Sequence, residues 1–271
     1  MKTRVIVAIV LLPLLLVCLL VLPKICTAIL AGLACAVGAY ELLWGTGMVK
    51  LIRLVAYTAV MAFLTALWCY YEMPYGAAIV GMLAFVAAMF AEVLIAKGEL
   101  PFDKIAVCFV GGLVVPLMLT ALVRIMVGEL GRFFVLLPFL LAFTSDSGAY
   151  FAGCFWGKHK LAPVISPNKT VEGVIGGVAG AIVGMLIYCV VLDLFFRFRV
   201  NYLFALAYGI LGSLGAVFGD LAFSAVKRQT GIKDYGNLFP GHGGVLDRFD
   251  SMVIVAPLTE ALLILIPFAV R

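Results

Sequence analysis

Charge is scarce in this sequence. Asp, Glu, Lys and Arg supply 12% of the 271 residues, while 65% are hydrophobic, and a water-soluble globular domain could not cover that much apolar surface. Histidine occurs twice, at His159 and His242. The seven cysteines (Cys18, Cys26, Cys35, Cys69, Cys108, Cys154 and Cys189) include no Cys-x-x-Cys pair and are odd in number. That inventory argues against a Cys/His zinc centre and leaves the cysteines as small apolar packing residues. Any bound metal is expected on oxygen ligands.

Long apolar runs, in contrast, are plentiful. They recur at lengths of about 18 to 24 residues, each enough to cross a hydrocarbon core of roughly 30 Å at about 1.5 Å per residue. Nine spans are expected: Arg4 to Pro23, Ile25 to Trp44, Leu54 to Tyr71, Ala77 to Ile95, Ile105 to Leu122, Phe133 to Phe151, Gly173 to Phe196, Tyr202 to Phe223 and Ser251 to Val270. The expected fold class is an all-α polytopic membrane protein, with five spans in residues 1–130 and four in a catalytic region, residues 131–271. The first span follows Lys2 and Arg4 as a signal peptide would. Its apolar stretch exceeds the usual length of about 7 to 15 residues, so it is expected to remain as an anchor.

The basic residues divide unequally about these spans. Lys2, Arg4, Lys50, Arg53, Lys97, Lys104, Lys158, Lys160, Lys169, Lys227, Arg228, Lys233 and Arg248 fall on one side, and Lys24, Arg124, Arg132, Arg197, Arg199 and Arg271 on the other. The excess marks the cytoplasmic face, which places the amino terminus there and the carboxyl terminus opposite. The net charge of +5 thereby has a membrane explanation and calls for no nucleic acid. In this topology Glu41, Glu92, Asp146 and Asp220 fall late in spans that run toward the cytoplasm, and Asp247 and Asp250 precede a span that leaves it. Ionisable groups at membrane depth are costly, and each is a candidate for function. Glu41, Glu92 and Glu260 read equally well as carboxylates satisfied by a neighbouring helix.

Two polar segments interrupt the apolar pattern. The first runs from Thr144-Ser145-Asp146-Ser147-Gly148 to Ser166-Pro167-Asn168-Lys169-Thr170-Val171-Glu172-Gly173. Its end reads as a turn into a helix amino terminus, with Thr170 or Ser166 as cap and Lys169 as a mobile charge, an arrangement suited to an anion. The same residues also make an ordinary cap plus a lysine on the basic side. The second segment, from Gly219-Asp220 to Asp250, carries Lys227, Arg228, Lys233 and Arg248, which can neutralise a polyphosphate, and glycines that admit phosphate close to the backbone. Asp247 and Asp250 are three apart and share a face if the last helix begins there, and Asp220 can approach from the preceding span. Three carboxylates beside cations favour a hard divalent ion such as Mg²⁺. Charge pairing of Asp247 and Asp250 with Arg248 at a helix start is the simpler alternative.

These residues resemble the phosphatidate cytidylyltransferase (CDP-diacylglycerol synthase) family. The resemblance runs from Ser224 through Lys227-Arg228, Lys233-Asp234, Pro240-Gly241-His242-Gly243-Gly244 and Asp247-Arg248-x-Asp250, and extends to Ser145-Asp146-Ser147-Gly148-Ala149-Tyr150 and Ser166-Pro-x-Lys169-Thr170-x-Glu172-Gly173. It spans roughly residues 144 to 251. Phe223 stands where the family often has an acid, and Val171 where it often has Trp.

The resemblance implies a polytopic helical enzyme of the bacterial cytoplasmic membrane, commonly dimeric, that makes CDP-diacylglycerol and pyrophosphate from CTP and phosphatidate. It implies Mg²⁺ on Asp220 and Asp247, with K⁺ or another monovalent cation as a second ion. Lys227 and Arg228 are expected to act on phosphates in catalysis, and Asp250 to bind metal or orient Arg248. Substrate contacts are expected from Asp146, Ser166, Lys169, Ser224, Lys233, Asp234, His242, Gly243, Gly244 and Arg248. For His242 a contact to pyrophosphate or nucleotide and a purely structural hydrogen bond both remain open. No general base is required, because a phosphomonoester with a second pKa of about 6 is already largely an oxyanion at neutral pH. Two other readings stand beside this one: a CTP-dependent kinase of a polyprenol or other lipid alcohol, and a secondary transporter with buried coupling carboxylates.

Overall fold

The computed structural model describes residues 12–239, 241 and 243–271. Seven helices among them are long and apolar enough to cross a membrane, and the protein is an integral membrane protein built of α-helices. Ahead of these, residues 12–20 form helix α1; the rest of the first expected span, Arg4 to Leu11, lies outside the described residues. The seven are α2 (Lys24–Gly45), α3 (Ile52–Tyr71), α4 (Tyr75–Ile95), α5 (Phe102–Val127), α6 (Gly131–Trp156), α7 (Val171–Phe196) and α8 (Tyr202–Gln229). A short α9 (Leu246–Phe249) and α10 (Met252–Leu265) follow.

The last expected span, Ser251 to Val270, is cut short. At 14 residues, α10 reaches only about 21 Å at 1.5 Å per residue. It stops because Pro267 disfavours a helical conformation at Ile266, and the chain then forms β4 (Ala269–Val270), antiparallel to β3 (Arg199–Val200). Asn201 N donates to Phe268 O at 2.7 Å beside this pair. Asp247 and Asp250 accordingly do not share one helix, since the chain turns at Asp250 and Ser251 between α9 and α10.

The chain divides into two compact units. The first comprises the residues up to Arg132 together with Lys227–Phe249, and the second Phe133–Val226 with Asp250–Arg271. In the first, α2 lies against α3 through small residues: Ala28, Ala31, Cys35 and Ala39 are buried on α2, and Ala62 and Ala66 on α3. A Cβ at Gly32 would stand 2.9 Å from the Phe63 ring. Van der Waals fit drives such packing in lipid, where burial of apolar surface between helices gains little. Lys24 Nζ closes the carboxyl end of α5 by donating to Val127 O at 2.9 Å and Gly128 O at 3.2 Å. Glu92 is met by Arg53 at 3.1 Å, which gives it the neighbouring-helix partner that was one of its two readings.

Two π-turns mark this unit, one ending α2 (Glu41–Gly45) and one inside α5 (Val110–Val114). They meet each other. Gly111 leaves room for Leu43, whose Cδ1 would lie 2.9 Å from a Cβ there, and Gly112 leaves room for Thr58 and Phe85.

In the second unit α6 and α7 pack backbone to backbone. Gly148 and Gly153 of α6 face Gly173, Gly176 and Gly180 of α7, Gly177 and Gly184 lie against Ser145 and Thr144, and a Cβ at Gly180 would lie 2.6 Å from Thr144 O and 3.2 Å from Gly148 Cα. Before α7, a hairpin of β1 (Lys160–Ala162) and β2 (Ser166–Thr170) pairs Lys160 with Thr170 and Ala162 with Ser166. Thr170 supplies the cap: its Oγ1 accepts from Gly173 N at 3.1 Å, while Ser166 is taken into β2.

Gly180→Val should destabilise the protein by about 1 to 3 kcal/mol through overpacking, read from reversible unfolding in mixed micelles. Gly81 has nothing within 4 Å of an added Cβ, so Gly81→Val should change little. Equal stability of the two variants would remove the close α6–α7 contact from the account of this fold.

Candidate active site

The last turn of α8 brings Lys227 to a buried carboxylate. Lys227 Nζ lies 2.9 Å from Asp247 Oδ1, with the two side chains 10% and 2% exposed. The other oxygen, Asp247 Oδ2, accepts from Tyr235 N at 2.7 Å and Gly244 N at 3.0 Å. The Tyr235 ring lies under Lys227, its centroid 5.5 Å from Nζ. Two residues upstream of Asp247, a second buried carboxylate takes over: Glu41 Oε1 accepts from Val245 N at 2.9 Å and Oε2 from Leu246 N at 2.8 Å. Four backbone amides of the Tyr235 to Leu246 segment thus point at two acids. Such charge-assisted bonds are what make ionised groups tolerable away from water.

The segment folds around these anchors. Helix α8 ends with Gly231 in the left-handed region at φ 71°, and Ile232 N donates back to Lys227 O at 3.0 Å, a glycine-dependent helix stop. Further on, Phe239 N donates to Gly243 O at 3.0 Å. Gly243 itself has φ 82°, and a Cβ there would lie 2.8 Å from Asp247 Oδ2. Arg228, Lys233, Asp234 and Arg248 are exposed, so three cations and one acid stand at the surface of a segment whose interior is pinned by Asp247 and Glu41. His242 lies outside the described residues.

The second unit gathers another set. Lys169 of β2 pairs with Asp220 of α8, Nζ to Oδ2 2.7 Å, with side chains 23% and 34% exposed. Ser224, one turn further along α8, donates its hydroxyl to Asp220 Oδ1 at 3.1 Å. Asp146 on α6 is exposed and within electrostatic reach of both Asp220 and Lys169. Beneath it, Ser145 and Ser213 share a 2.7 Å hydroxyl bond. The expected first-segment residues Asp146 and Lys169 are therefore joined to Asp220 and Ser224, whereas Ser166 sits in β2 opposite Ala162. Asp250 Oδ1 accepts from the adjacent Ser251 N at 2.7 Å.

The expected metal pair is thus divided, Asp220 belonging to one unit and Asp247 to the other. Among the described residues no three His, Cys, Asp or Glu side chains form a ready metal cluster. The donor chemistry nevertheless fits a hard divalent ion. Asp220 and Asp146 present carboxylate oxygens with open acceptor positions, while Asp247 already meets three donors.

Glu41 is one of the residues on which the sequence left two readings open, and the structure joins it to the motif segment. Its predicted position late in a cytoplasm-bound span was the available signal, but its partners lie 204 and 205 residues away along the chain.

A helical membrane protein with exposed cations around pinned carboxylates is the class that fold and site define. Comparison with known proteins narrows it: the profile of the Cytidylyltransferase family matches residues 2–266, and the chain belongs to that family. A phosphatidate cytidylyltransferase of Staphylococcus haemolyticus is 47% identical over 134 residues, 49% of this chain and 50% of the relative. Proteins of the same name from Staphylococcus saprophyticus and Staphylococcus aureus are each 46% identical over 134 residues, again 49% of this chain and 50% of the relative. The matched stretch spans about half the length of these curated relatives.

Removing the Lys227 ammonium would leave the Asp247 charge buried without its cation. Lys227→Met should destabilise the protein by about 3 to 5 kcal/mol. Lys169→Met, at a half-open pair, should change stability by less than about 1 kcal/mol. Unfolding titrations of both variants check this, and equal losses would contradict the assignment of Lys227 to the interior.

Proposed function

We propose that this protein is a phosphatidate cytidylyltransferase that converts CTP and phosphatidate to CDP-diacylglycerol and pyrophosphate. The observation that carries the reading is the Lys227–Asp247 pair at the base of a glycine-rich segment whose Arg228, Lys233 and Arg248 face outward. Family membership and the names of the relatives support the choice of nucleotide and lipid.

In this mechanism a phosphate oxygen of phosphatidate forms a bond to the α-phosphorus of CTP while the bond from that phosphorus to the bridging oxygen of the β-phosphate breaks. Pyrophosphate leaves with the electron pair. The attacking group is already an oxyanion at neutral pH, so the protein's contribution is alignment and charge stabilisation. Arg228, Lys233 and Arg248 bind the triphosphate and the departing pyrophosphate, Arg by paired donors and Lys as a point charge. Lys169, presented by β2 beside Asp220, binds the lipid phosphate, and Ser224 holds the Asp220 carboxylate in orientation. Asp234, Gly243 and Gly244 shape the nucleotide side, and Gly243 lets the backbone turn where a side chain would strike Asp247. The resemblance assigns Mg²⁺ to Asp220 and Asp247, which would hold it through carboxylate oxygens, and Asp146 lies within electrostatic reach of Asp220. When bound, the ion supplies positive charge to phosphate oxygens as the transition state forms.

The excess of basic residues on one side of the spans supports a site facing the cytoplasm, where CTP is supplied, in the bacterial cytoplasmic membrane. The working form in this reading is a homodimer.

Purified protein supplied with α-phosphate-labelled CTP, Mg²⁺ and phosphatidate should transfer label to lipid and release pyrophosphate. Asp220→Asn should lose at least about 100-fold in rate while remaining monodisperse in detergent, and Asp247→Asn should lose as much per folded molecule while also losing stability, because Lys227 is left buried without its partner. Label reaching lipid from the γ-position instead, with release of CDP, would establish a lipid-alcohol kinase in place of this reaction.

A further inference from the structure

The oddest buried acid is the one furthest in sequence from the motif it serves. Glu41 is 3% exposed in an apolar helix, and an ionised group in such a place persists only when it is well satisfied. Its two oxygens each hold one amide, of Val245 and of Leu246, the two residues immediately before Asp247. The surrounding backbone is cut to admit this side chain: a Cβ at Gly236 or at Gly244 would run into the Glu41 carboxylate, and a Cβ at Gly45 into Tyr235 O. The carboxylate leaves from a π-turn, marked by Thr46 N donating to Glu41 O at 3.2 Å, and such turns recur at functional sites. Leu42 and Leu43 behind it are buried and seat in the space left by Gly111.

We infer that Glu41 is a positioning residue for the cytidylyl-transfer step: it fixes the Gly244 to Leu246 backbone and through it the direction of the Asp247 carboxylate. It touches no substrate. Two of the exposed cations that bind phosphate, Arg228 and Lys233, are carried outside the stretch that Glu41 holds, while Arg248 follows Asp247 directly, its N donating to Val245 O at 2.9 Å, so loss of Glu41 lowers turnover more than it weakens substrate binding. The inference rests on the cytidylyltransferase reading for its kinetic consequence and on the geometry alone for its structural one.

The test uses the full chain in detergent with CTP, Mg²⁺ and phosphatidate, comparing wild type with Glu41→Gln, Glu41→Asp, Gly236→Ala and, as a control, Glu92→Gln. Gln places an NH₂ against one of the two amides, and Asp is one methylene too short to reach both. Each should lower kcat by about 10- to 100-fold, the range for an unmet buried donor, with KM for CTP rising by a smaller factor than kcat falls. Gly236→Ala should show the same kcat loss by displacing the carboxylate, and should add little to Glu41→Gln in the double variant. Glu92→Gln should keep wild-type kcat. Amide hydrogen exchange should quicken at Val245 and Leu246 in Glu41→Gln and Gly236→Ala and stay unchanged in α4.

Wild-type kcat per folded molecule in Glu41→Gln or, should that variant not fold, in Gly236→Ala would overturn the positioning role. Unchanged exchange at Val245 and Leu246 would do the same. Absence of CDP-lipid with the wild-type protein would instead remove the cytidylyltransferase reading, and exchange would then decide the role of Glu41 by itself.

Discussion

A carboxylate shut away from water has to be answered by donors, and the motif segment is organised by that requirement at Asp247. One ammonium and two amides converge on a single side chain that is 2% exposed. Each of those donors comes from a different stretch of chain: Lys227 from the last turn of α8, Tyr235 from the loop beyond it, and Gly244 from the approach to α9. A segment rich in glycine has little apolar surface with which to hold a conformation. Here charge-assisted bonds to a buried acid take the place that hydrophobic packing has elsewhere in a fold.

The same economy governs the second unit, with a different outcome. Lys169 and Asp220 are bonded more closely than Lys227 and Asp247, yet both remain open to solvent. An exposed pair can exchange partners at little loss, while a buried one is committed. The protein therefore holds two lysine–aspartate pairs of unlike character, one buried and fixing a backbone and one partly open to solvent and free to exchange partners. Helix α8 contributes to both, giving Asp220 and Ser224 to the second unit and Lys227 to the first.

Hydropathy made most of the fold legible, because apolar runs in lipid report directly on where helices lie. It was weaker at helix ends. Helix α8 was expected to stop at Phe223 and continues to Gln229, since a polar tail can remain helical beyond the lipid until Gly231 provides a stop. The last span was overestimated for the opposite reason: residues 266–270 are apolar enough for a membrane, but Pro267 and the pairing with β3 take them out of the helix. Within the candidate site, residue types and spacing singled out Lys227, Asp247, Lys169 and Asp220. They could not say which would pair with which, since pairing depends on how distant segments are folded together. Glu41 illustrates the limit: its position marked it as costly, and nothing local to α2 discloses two amides more than two hundred residues downstream.

The π-turn that ends α2 gives that helix a fixed length as well as a bend. Such a turn holds one residue more than regular α-geometry would place there, and each residue advances the helix by about 100°. Deleting a single residue ahead of Glu41 would thus leave a perfectly good transmembrane helix whose carboxylate faced the wrong way. In α2 the count of residues is itself under constraint from the loop it serves, so substitutions along its apolar face are more easily borne than any change in its number.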